Sequence, residues 1–203
     1  IDRAGFADKM LTLDEPTFST PASTAYDSTI CSIVDWLDPP RTDRIPNSVN
    51  ILGMSITNKD WRHGISELQG LLKKMGLNVL SVPGAACTVE GLRRSVRASC
   101  NVIVSPEYGI STAQKYEEKY GIPWVMSEEG APVGFSATER WLRTVAEATG
   151  TEAGEAIASM KHYREVAAHF LTEFQRHSTL PKGVTFAVKA DSSVALPLTK
   201  WLL

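Results

Sequence analysis

The sequence NVIVSPEYGISTAQKYEEKYGIPW (residues 101–124) contains one complete strand-to-helix unit and the start of the next strand. After Asn101, residues Val102–Val104 form a short apolar run, which is typical of a strand buried on both faces. A loop opens at Ser105-Pro106, an amphipathic helix follows, and the Gly-Ile-Pro turn stops that helix. The same strand, loop and helix pattern is predicted on both sides of this stretch.

The alternation predicts an α/β fold: a Rossmann-like parallel sheet of about four strands flanked by helices. A long C-terminal helix over Thr151–Gln175 and the start of a further α/β unit are predicted to follow. The four predicted strands are Val49–Met54, Asn78–Val82, Asn101–Val104 and Pro123–Met126. The helices that follow them are predicted at Ile65–Met75, Val89–Arg97, Ser111–Tyr120 and Ala137–Ala148.

Three regions are predicted along the chain. Residues 1–48 form a lead-in segment with one helix at Tyr26–Leu37, and residues 49–178 form the Rossmann-like domain including the long helix. Residues 179–203 start the next α/β unit, with a strand over Gly183–Lys189 and a helix over Ser193–Leu203. Because the sequence begins with Ile1 and ends inside a helical pattern, we expect a piece of a longer protein.

Composition and charge narrow the class of protein. The chain has 203 residues, of which 43% are hydrophobic and 22% charged, and its 21 basic and 23 acidic residues are intermixed. No basic block suggests a nucleic-acid partner, and no apolar run is long enough to span a membrane. The three cysteines are widely spaced without a CxxC motif, which argues against a disulfide framework and indicates a reducing, cytoplasmic compartment.

Ligands of parallel α/β sheets bind at the carboxyl ends of the strands, where loops meet helix N-termini. Four predicted loops share that edge: 55–61, 83–88, 105–109 and 127–134. Their candidate binding residues are Trp61, Cys87, Ser105, Glu107 and Tyr108, with Asn58, His63, Glu128 and Glu129 also available. We identify no catalytic residue by spacing, because no Ser–His–Asp or Cys–His set can be assembled, and no metal site is predicted.

Several patterns at this edge have two interpretations. The loops lack the glycines of a dinucleotide-binding turn and the Lys-Ser/Thr of a P-loop, which disfavours NAD or ATP. Cys87 precedes a helix N-terminus that can favour a thiolate, or it is a small, partly buried loop residue. His63 either contacts a ligand or is solvated in the first turn of its helix, and His162 and His169 are interpreted as a solvated face.

Residues 101–124 also resemble a segment of nitrogenase component 1-type oxidoreductase subunits, whose helix closes with a very similar EEKYGIP. Matches in the family's order extend the resemblance over most of the chain: Ala4-Gly5-Phe6, Pro16-Thr17-Phe18-Ser19, Ala25-Tyr26-Asp27, Val49–Gly53, Trp61, Glu67-Leu68, Pro132-Val133-Gly134 and Thr138-Glu139-Arg140. The family includes subunits of nitrogenase, protochlorophyllide reductase and nickel-sirohydrochlorin reductive cyclase. By this comparison, the chain is the middle α/β unit of such a subunit plus the opening of the third.

The resemblance implies a domain that helps to form a metallocluster or tetrapyrrole-type substrate cleft within an iron–sulfur electron-transfer complex. Ser105 stands where a cysteine binds the nitrogenase cofactor, and Tyr26 falls near a histidine that approaches it, so both join the candidate cofactor-binding residues. A neutral hydroxyl is a poor iron ligand beside a thiolate. We therefore expect no cofactor on these residues alone, and an iron–sulfur cluster or related metallocofactor only in the parent complex.

The implied partners are a second component 1-type subunit and an ATP-dependent iron–sulfur reductase protein, with no nucleic acid and no membrane. A homodimer of the fragment is also possible, since truncation exposes apolar surface. Two alternative functions stay open: a non-catalytic scaffold for metallocofactor assembly, and an unrelated small-molecule-binding α/β domain. By itself, the fragment is expected to be inactive.

Overall fold

The computed structural model describes residues 10–13, 19–177 and 185–202, and these residues contain a four-stranded parallel sheet. The strands are β1 (Ser48–Leu52), β2 (Asn78–Ser81), β3 (Cys100–Ile103) and β4 (Trp124–Met126), in the order β2-β1-β3-β4. The α/β fold and the parallel sheet flanked by helices are confirmed.

Eight α-helices and one 3₁₀ turn surround the strands in this part of the chain. They are α1 (Ala22–Leu37), α2 (Trp61–Lys74), α3 (Val89–Ser95), the 3₁₀ turn Pro106–Tyr108, α4 (Ile110–Tyr120), α5 (Gly134–Thr149), α6 (Gly154–Ser159), α7 (Lys161–His177) and α8 (Ser192–Leu202). Thr88 is the N-cap of α3, because its side chain accepts a hydrogen bond from Gly91 N at 3.0 Å.

Alternate residues of the central strands enter two cores because successive side chains of a strand point to opposite faces. On one face, Ile51 and Val102 pack with Leu72 of α2 and Trp141 of α5. On the other face, Leu52 and Ile103 pack with side chains from α1 and α4, namely Val34, Ala113, Tyr116 and Tyr120. Both central strands are fully buried, as the continuous apolar runs predicted.

The two central strands also carry a buried polar pair. Asn50 of β1 lies in register with Asn101 of β3, and its Nδ2 donates hydrogen bonds to Asn101 Oδ1 at 2.8 Å and to the Ser95 carbonyl at 2.9 Å. Asn50 Oδ1 and Asn101 Nδ2 are buried without a protein partner. These amides face the core between the sheet and helices α3 and α4.

Two predictions for the C-terminal part are wrong in detail. The long helix predicted over Thr151–Gln175 is two helices, because α6 ends before Met160 and α7 begins at Lys161. Of the apolar side chains in this range, Ile157 and Met160 pack on the core, whereas Tyr163, Phe170 and Phe174 are exposed on α7. In the strand predicted over Gly183–Lys189, residues 185–189 have no regular secondary structure, and the first two residues lie outside the described ranges.

The lead-in helix α1 is an integral part of the domain because Asp27 caps a helix that follows 84 residues later. Its carboxylate is 1% exposed and accepts hydrogen bonds from Ser111 N at 2.7 Å and from Thr112 N at 3.1 Å. The Thr112 hydroxyl donates a third at 2.7 Å. The carboxylate thus satisfies free N–H groups at the start of α4 and complements the helix dipole.

Among the described residues, no helix combines the length and apolar character needed to cross a membrane. The resemblance segments at residues 4–6 and 16–18 lie outside the described ranges, as does most of the lead-in before residue 19.

Candidate functional site

Ser105 lies at the carboxyl edge of the sheet, where β3 ends and the 3₁₀ turn begins. It sits against Gly53, the first residue after β1, so closely that a methyl group on Gly53 would lie 2.7 Å from Ser105 N. Gly53 also adopts a positive φ of 80°, a conformation that L side chains rarely adopt. A methyl group on Gly109 would in turn lie 2.6 Å from Gly53 N. The loops after β1 and β3 therefore pack backbone to backbone at Ser105.

Two tyrosines join this edge from different elements. The Tyr26 ring of α1 meets the Tyr108 ring edge-on, with 5.9 Å between the ring centroids. The Tyr26 hydroxyl donates a hydrogen bond to the Gly84 carbonyl in the loop after β2. Tyr26 thus connects the loops after β2 and β3, and the structure brings together Tyr26, Ser105 and Tyr108 as predicted site residues.

The Tyr108 hydroxyl is held in its neutral form. Burial raises the pKa of Tyr108, and the Asp191 carboxylate just before α8 raises it further, while Thr57 in the loop after β1 partly opposes this. A protonated phenol at neutral pH can donate a hydrogen bond to a bound group. The edge therefore holds a neutral phenolic hydroxyl at Tyr108, which is hydrogen-bonded to Asp191, beside the ring of Tyr26.

Glu107 faces the start of α8. Its Oε1 accepts hydrogen bonds from the Ser192 hydroxyl at 2.8 Å and from Ser193 N at 2.6 Å, while its Oε2 is buried without a partner among the described residues. Burial raises the pKa of Glu107, but these hydrogen bonds outweigh burial and the net pKa lies below the ordinary 4.5. Glu107 is therefore an ionised cap of α8 at neutral pH.

The start of α8 also contacts the loop after β4. The Ser193 carbonyl accepts a hydrogen bond from Ala131 N at 2.7 Å, in that loop. Ser105 itself is only 5% exposed and packs against Gly53. A ligand could therefore reach Ser105 only after a local rearrangement of the edge.

We expect Glu107→Gln to weaken the docking of α8 by about 1 kcal/mol at pH 7, since hydrogen bonds to a partly exposed charged group are worth little more. A carboxylate with a lowered folded-state pKa stabilises the fold above its ordinary pKa of 4.5, and this stabilisation is lost as the pH falls further. Thermal unfolding of the wild type and of Glu107→Gln from pH 7 to pH 3 measures the difference in stability between them, which should shrink below pH 4.5. If the difference in stability were the same at every pH, the ionised form of Glu107 would not be what stabilises the docking of α8.

Cys87 is a neutral thiol rather than a thiolate. Burial raises its pKa, and hydrogen bonds from Ser81 and the backbone only partly oppose this. Its sulfur lies 2.9 Å from the Ser81 hydroxyl and donates to the Thr88 carbonyl at 3.2 Å. The structure therefore favours the interpretation of Cys87 as a small, half-buried loop residue.

All three cysteines should react slowly with iodoacetamide in the folded chain at pH 7.5, because the thiolate is the reactive form. Burial raises the pKa of Cys31 and Cys87 and brings that of Cys100 to about 11. Mass spectrometry of the modified peptides measures the rate of labelling at each cysteine, with the urea-unfolded chain as the control. Labelling of Cys87 as fast in the folded as in the unfolded chain would contradict a neutral, hydrogen-bonded thiol.

Trp61 belongs to a different part of the edge. It is half-buried at the start of α2, packs against the core, and the Arg62 guanidinium stacks 4.3 Å from its ring centroid. His63, His162 and His169 are exposed. Within the described ranges, neither Trp61 nor Cys87 has a hydrogen bond or ring contact with Tyr26, Ser105 or Tyr108.

Sequence reasoning missed several residues that build the site. Asp27 appeared only as part of a family motif, and Gly53, Gly109 and Ser193 were not singled out. Their roles depend on contacts between residues far apart in the chain, so local patterns carry little signal for them. The available sequence signal for Asp27 was its own position, since it is a charged residue within the apolar pattern of α1.

The donor set at this edge does not fit direct ligation of an iron–sulfur cluster. Across the described ranges, no three His, Cys, Asp or Glu side chains converge as metal ligands. Ser105 and Tyr108 offer neutral hydroxyls, which are poor ligands for iron beside thiolates. The edge presents two aromatic rings and neutral hydroxyls that suit an organic group, with one ionised carboxylate nearby.

Comparisons with known proteins agree with this architecture. The family model for "Nitrogenase component 1 type Oxidoreductase" matches residues 7–203. A light-independent protochlorophyllide reductase subunit from Jannaschia sp. (strain CCS1) is 30% identical over 167 residues, which cover 79% of this chain and 31% of that protein. The corresponding subunit from Crocosphaera subtropica is 30% identical over 161 residues, covering 76% of this chain and 30% of that protein.

Among solved structures, "Nitrogenase Cp1 at pH 6.5" shares the fold with a TM-score of 0.52, at 21% identity over 76% of this chain and 28% of that one. With nearly all its residues matched, the chain belongs to the nitrogenase component 1-type oxidoreductase family. It spans about a third of the length of these two curated relatives.

Proposed function

We propose that this chain is the middle α/β domain of a subunit in a nitrogenase-like oxidoreductase complex. In this proposal, its carboxyl edge forms one wall of a cleft for a tetrapyrrole-type substrate. The observation that carries the proposal is the convergence of Tyr26, Ser105 and Tyr108 at one edge. In this proposal, residues 1–48 are the lead-in segment, whose helix α1 packs on the middle domain, and residues 179–203 start the next α/β unit of the subunit.

The chemistry of the edge supports an organic substrate over a ligated metallocluster. Neutral hydroxyls and aromatic faces bind rings and ring substituents, whereas iron clusters need thiolates. The relatives that cover most of the chain are subunits of a protochlorophyllide reductase, a name that specifies a substrate with a large aromatic ring system. An iron–sulfur cluster of the parent complex would then be held by residues outside this edge and supply electrons.

Within such a complex, the residues of this chain would position the substrate and exclude water. Tyr26 and Tyr108 would contact its ring face, and the Tyr108 hydroxyl would donate to it in place of Asp191. Ser105, which is 5% exposed, would donate another hydrogen bond after the residues around it rearrange. Trp61 and Cys87 would line the adjoining loops. The proposed partners are a second component 1-type subunit and an ATP-dependent iron–sulfur reductase protein, in the cytoplasm.

The test uses the intact parent complex, purified without oxygen together with its partner subunit. Iron and sulfide analysis with visible spectroscopy should show a cluster, and protochlorophyllide should bind with a shift in its absorption. A complex without iron would overturn the redox role. Iron with tight substrate binding but no reduction, in the presence of the reductase protein and ATP, would support an assembly scaffold instead.

Variants of the same complex separate substrate binding from cluster ligation. Tyr108→Phe removes a donor while retaining the ring, and should weaken protochlorophyllide binding several-fold, since one hydrogen bond contributes about 1 kcal/mol. Ser105→Ala should leave the iron content unchanged. Loss of iron in Ser105→Ala would show that residue 105 does act as a ligand, against the proposal.

A further inference from the structure

The described residues also form a cavity whose lining does not include Ser105. It is a cleft of about 710 Å³ between the first turn of α5, one face of α7, and α8. This volume falls in the range of small-molecule sites. Of the residues predicted at the carboxyl edge from sequence, only those in the loop after β4, such as Glu129 and Val133, line it. We refer to this cavity as the α5–α7–α8 cleft.

The cleft carries an excess of positive charge. Arg140, Arg164 and Lys200 line it together with a single carboxylate, Glu129. Glu129 is shared between two of these cations: its Oε2 lies 2.6 Å from Arg140 Nη1 and also pairs with Lys200. Hydrogen bonds from Lys200 and Arg140 hold the pKa of Glu129 below its usual range, so it is ionised at neutral pH. The lining therefore retains a net charge of about +2.

Among the ion pairs of the described residues, Arg140 and Lys200 both pair with Glu129. The Arg164 guanidinium has no acidic partner among these pairs. Its neighbour Glu165 is instead 3.9 Å from Lys161. On α7, Arg164 shares the cleft face with Ala167, Ala168 and Leu171, because these positions repeat with helical spacing. A planar guanidinium without a partner is well suited to bind a carboxylate or sulfonate.

The remaining walls are apolar. Phe135 comes from the start of α5, Leu171 from α7, and Trp201 from α8, where the Trp201 side chain is 68% exposed. Single exposed apolar residues are ordinary, but here aromatic and aliphatic groups from three helices surround one cavity. Together with the unpartnered guanidinium, they offer an apolar volume next to a site for negative charge.

We infer that the α5–α7–α8 cleft binds an organic anion with an apolar, ring-sized body. The negative group pairs with Arg164, and the body lies between Phe135, Leu171 and Trp201. An inorganic anion would leave the apolar volume empty, and a cation would be repelled by the net charge. This site is separate from the Ser105 edge, and its assignment does not depend on the proposed oxidoreductase function.

The probe for this site is 1-anilinonaphthalene-8-sulfonate, and its uncharged counterpart N-phenyl-1-naphthylamine has the same ring system without the sulfonate. In fluorescence titrations of the chain at low salt, the sulfonate should bind saturably at one site. Its affinity should fall when salt is raised from about 20 mM to about 500 mM, because ions screen the pairing, whereas the affinity of the neutral probe should not fall.

Arg164→Gln should weaken sulfonate binding at least about fivefold, which corresponds to about 1 kcal/mol, and leave binding of the neutral probe unchanged. Arg176→Gln is the matched control, because Arg176 lies on the same helix, pairs with Glu173 and does not line the cleft. Trp201→Ala should weaken both probes. Circular dichroism of each variant verifies that the fold is retained.

Two results would overturn the inference. One is equal affinity of the sulfonate for the wild-type chain and Arg164→Gln, which would mean that the probe adheres to apolar surface only. The other is an equal loss with Arg176→Gln, which would show a general effect of the helix charge. Failure of the intact complex to carry iron would overturn the proposed function while leaving this result unaffected.

Discussion

Gly53→Ala is expected to destabilise the chain by more than about 4 kcal/mol and to leave little folded protein at 37 °C. The φ of 80° alone costs a non-glycine residue about 1–2 kcal/mol. The larger part comes from the new methyl group, which would overlap the backbone of Ser105 from its nitrogen to its carbonyl oxygen. Backbone atoms cannot yield as a flexible side chain can, so the loops after β1 and β3 must separate.

Gly76→Ala is the matched control for this prediction. Gly76 has nearly the same φ, 77°, but a methyl group there would meet no atom within 4 Å. It should cost only the conformational part, about 1–2 kcal/mol. Urea unfolding followed by circular dichroism measures both variants. Equal losses of unfolding free energy would mean that the contact between Gly53 and Ser105 contributes nothing.

Asp27→Ala is expected to cost about 3–4 kcal/mol of unfolding free energy. The carboxylate accepts three hydrogen bonds from Ser111 and Thr112 at the start of α4, and removing it leaves their buried donors without partners. The loss of a helix cap adds to this cost. Asp27→Asn should fall between the wild type and Asp27→Ala, since it keeps one acceptor but loses the charge.

Asp35→Ala on the same helix provides the comparison. Asp35 is an exposed carboxylate that pairs with Lys119 at 2.8 Å, and exposed ion pairs contribute less than about 1 kcal/mol. Urea unfolding of the two alanine variants should therefore differ by at least about 2 kcal/mol. If Asp27→Ala were as mild as Asp35→Ala, water would be replacing the carboxylate at α4 and α1 would be a dispensable addition.

The sequence predicts the layered architecture well because each central strand and each crossover helix has a strong local pattern. The four strands were located to within two residues, since the apolar runs at residues 49–54 and 101–104 are buried on both faces. The break at Met160 was not predictable from periodicity, because residues 157, 160 and 163 continue one helical stripe across it.

The site was predicted less completely than the fold. Loop positions at the carboxyl edge followed from topology, so Ser105 and Tyr108 could be named as candidates. The partners of Glu107 could not be predicted, since it meets Ser192 and Ser193 across about 85 residues of chain. The net positive charge of the α5–α7–α8 cleft could not be predicted from the sequence either, because Arg140, Arg164 and Lys200 come from three separate helices.

The amide pair between β1 and β3 has a consequence for how this sheet assembles. Asn50 meets Asn101 only when the two strands pair as observed. A slip of one residue would point an amide into the apolar core on the opposite face, where nothing could accept or donate to it. The pair therefore favours the observed register, because other alignments of β1 and β3 would leave buried amide groups without partners. Substitution of Asn50 or Asn101 alone should destabilise the fold. Replacement of both by aliphatic residues should preserve stability but specify the register of β1 and β3 less strongly.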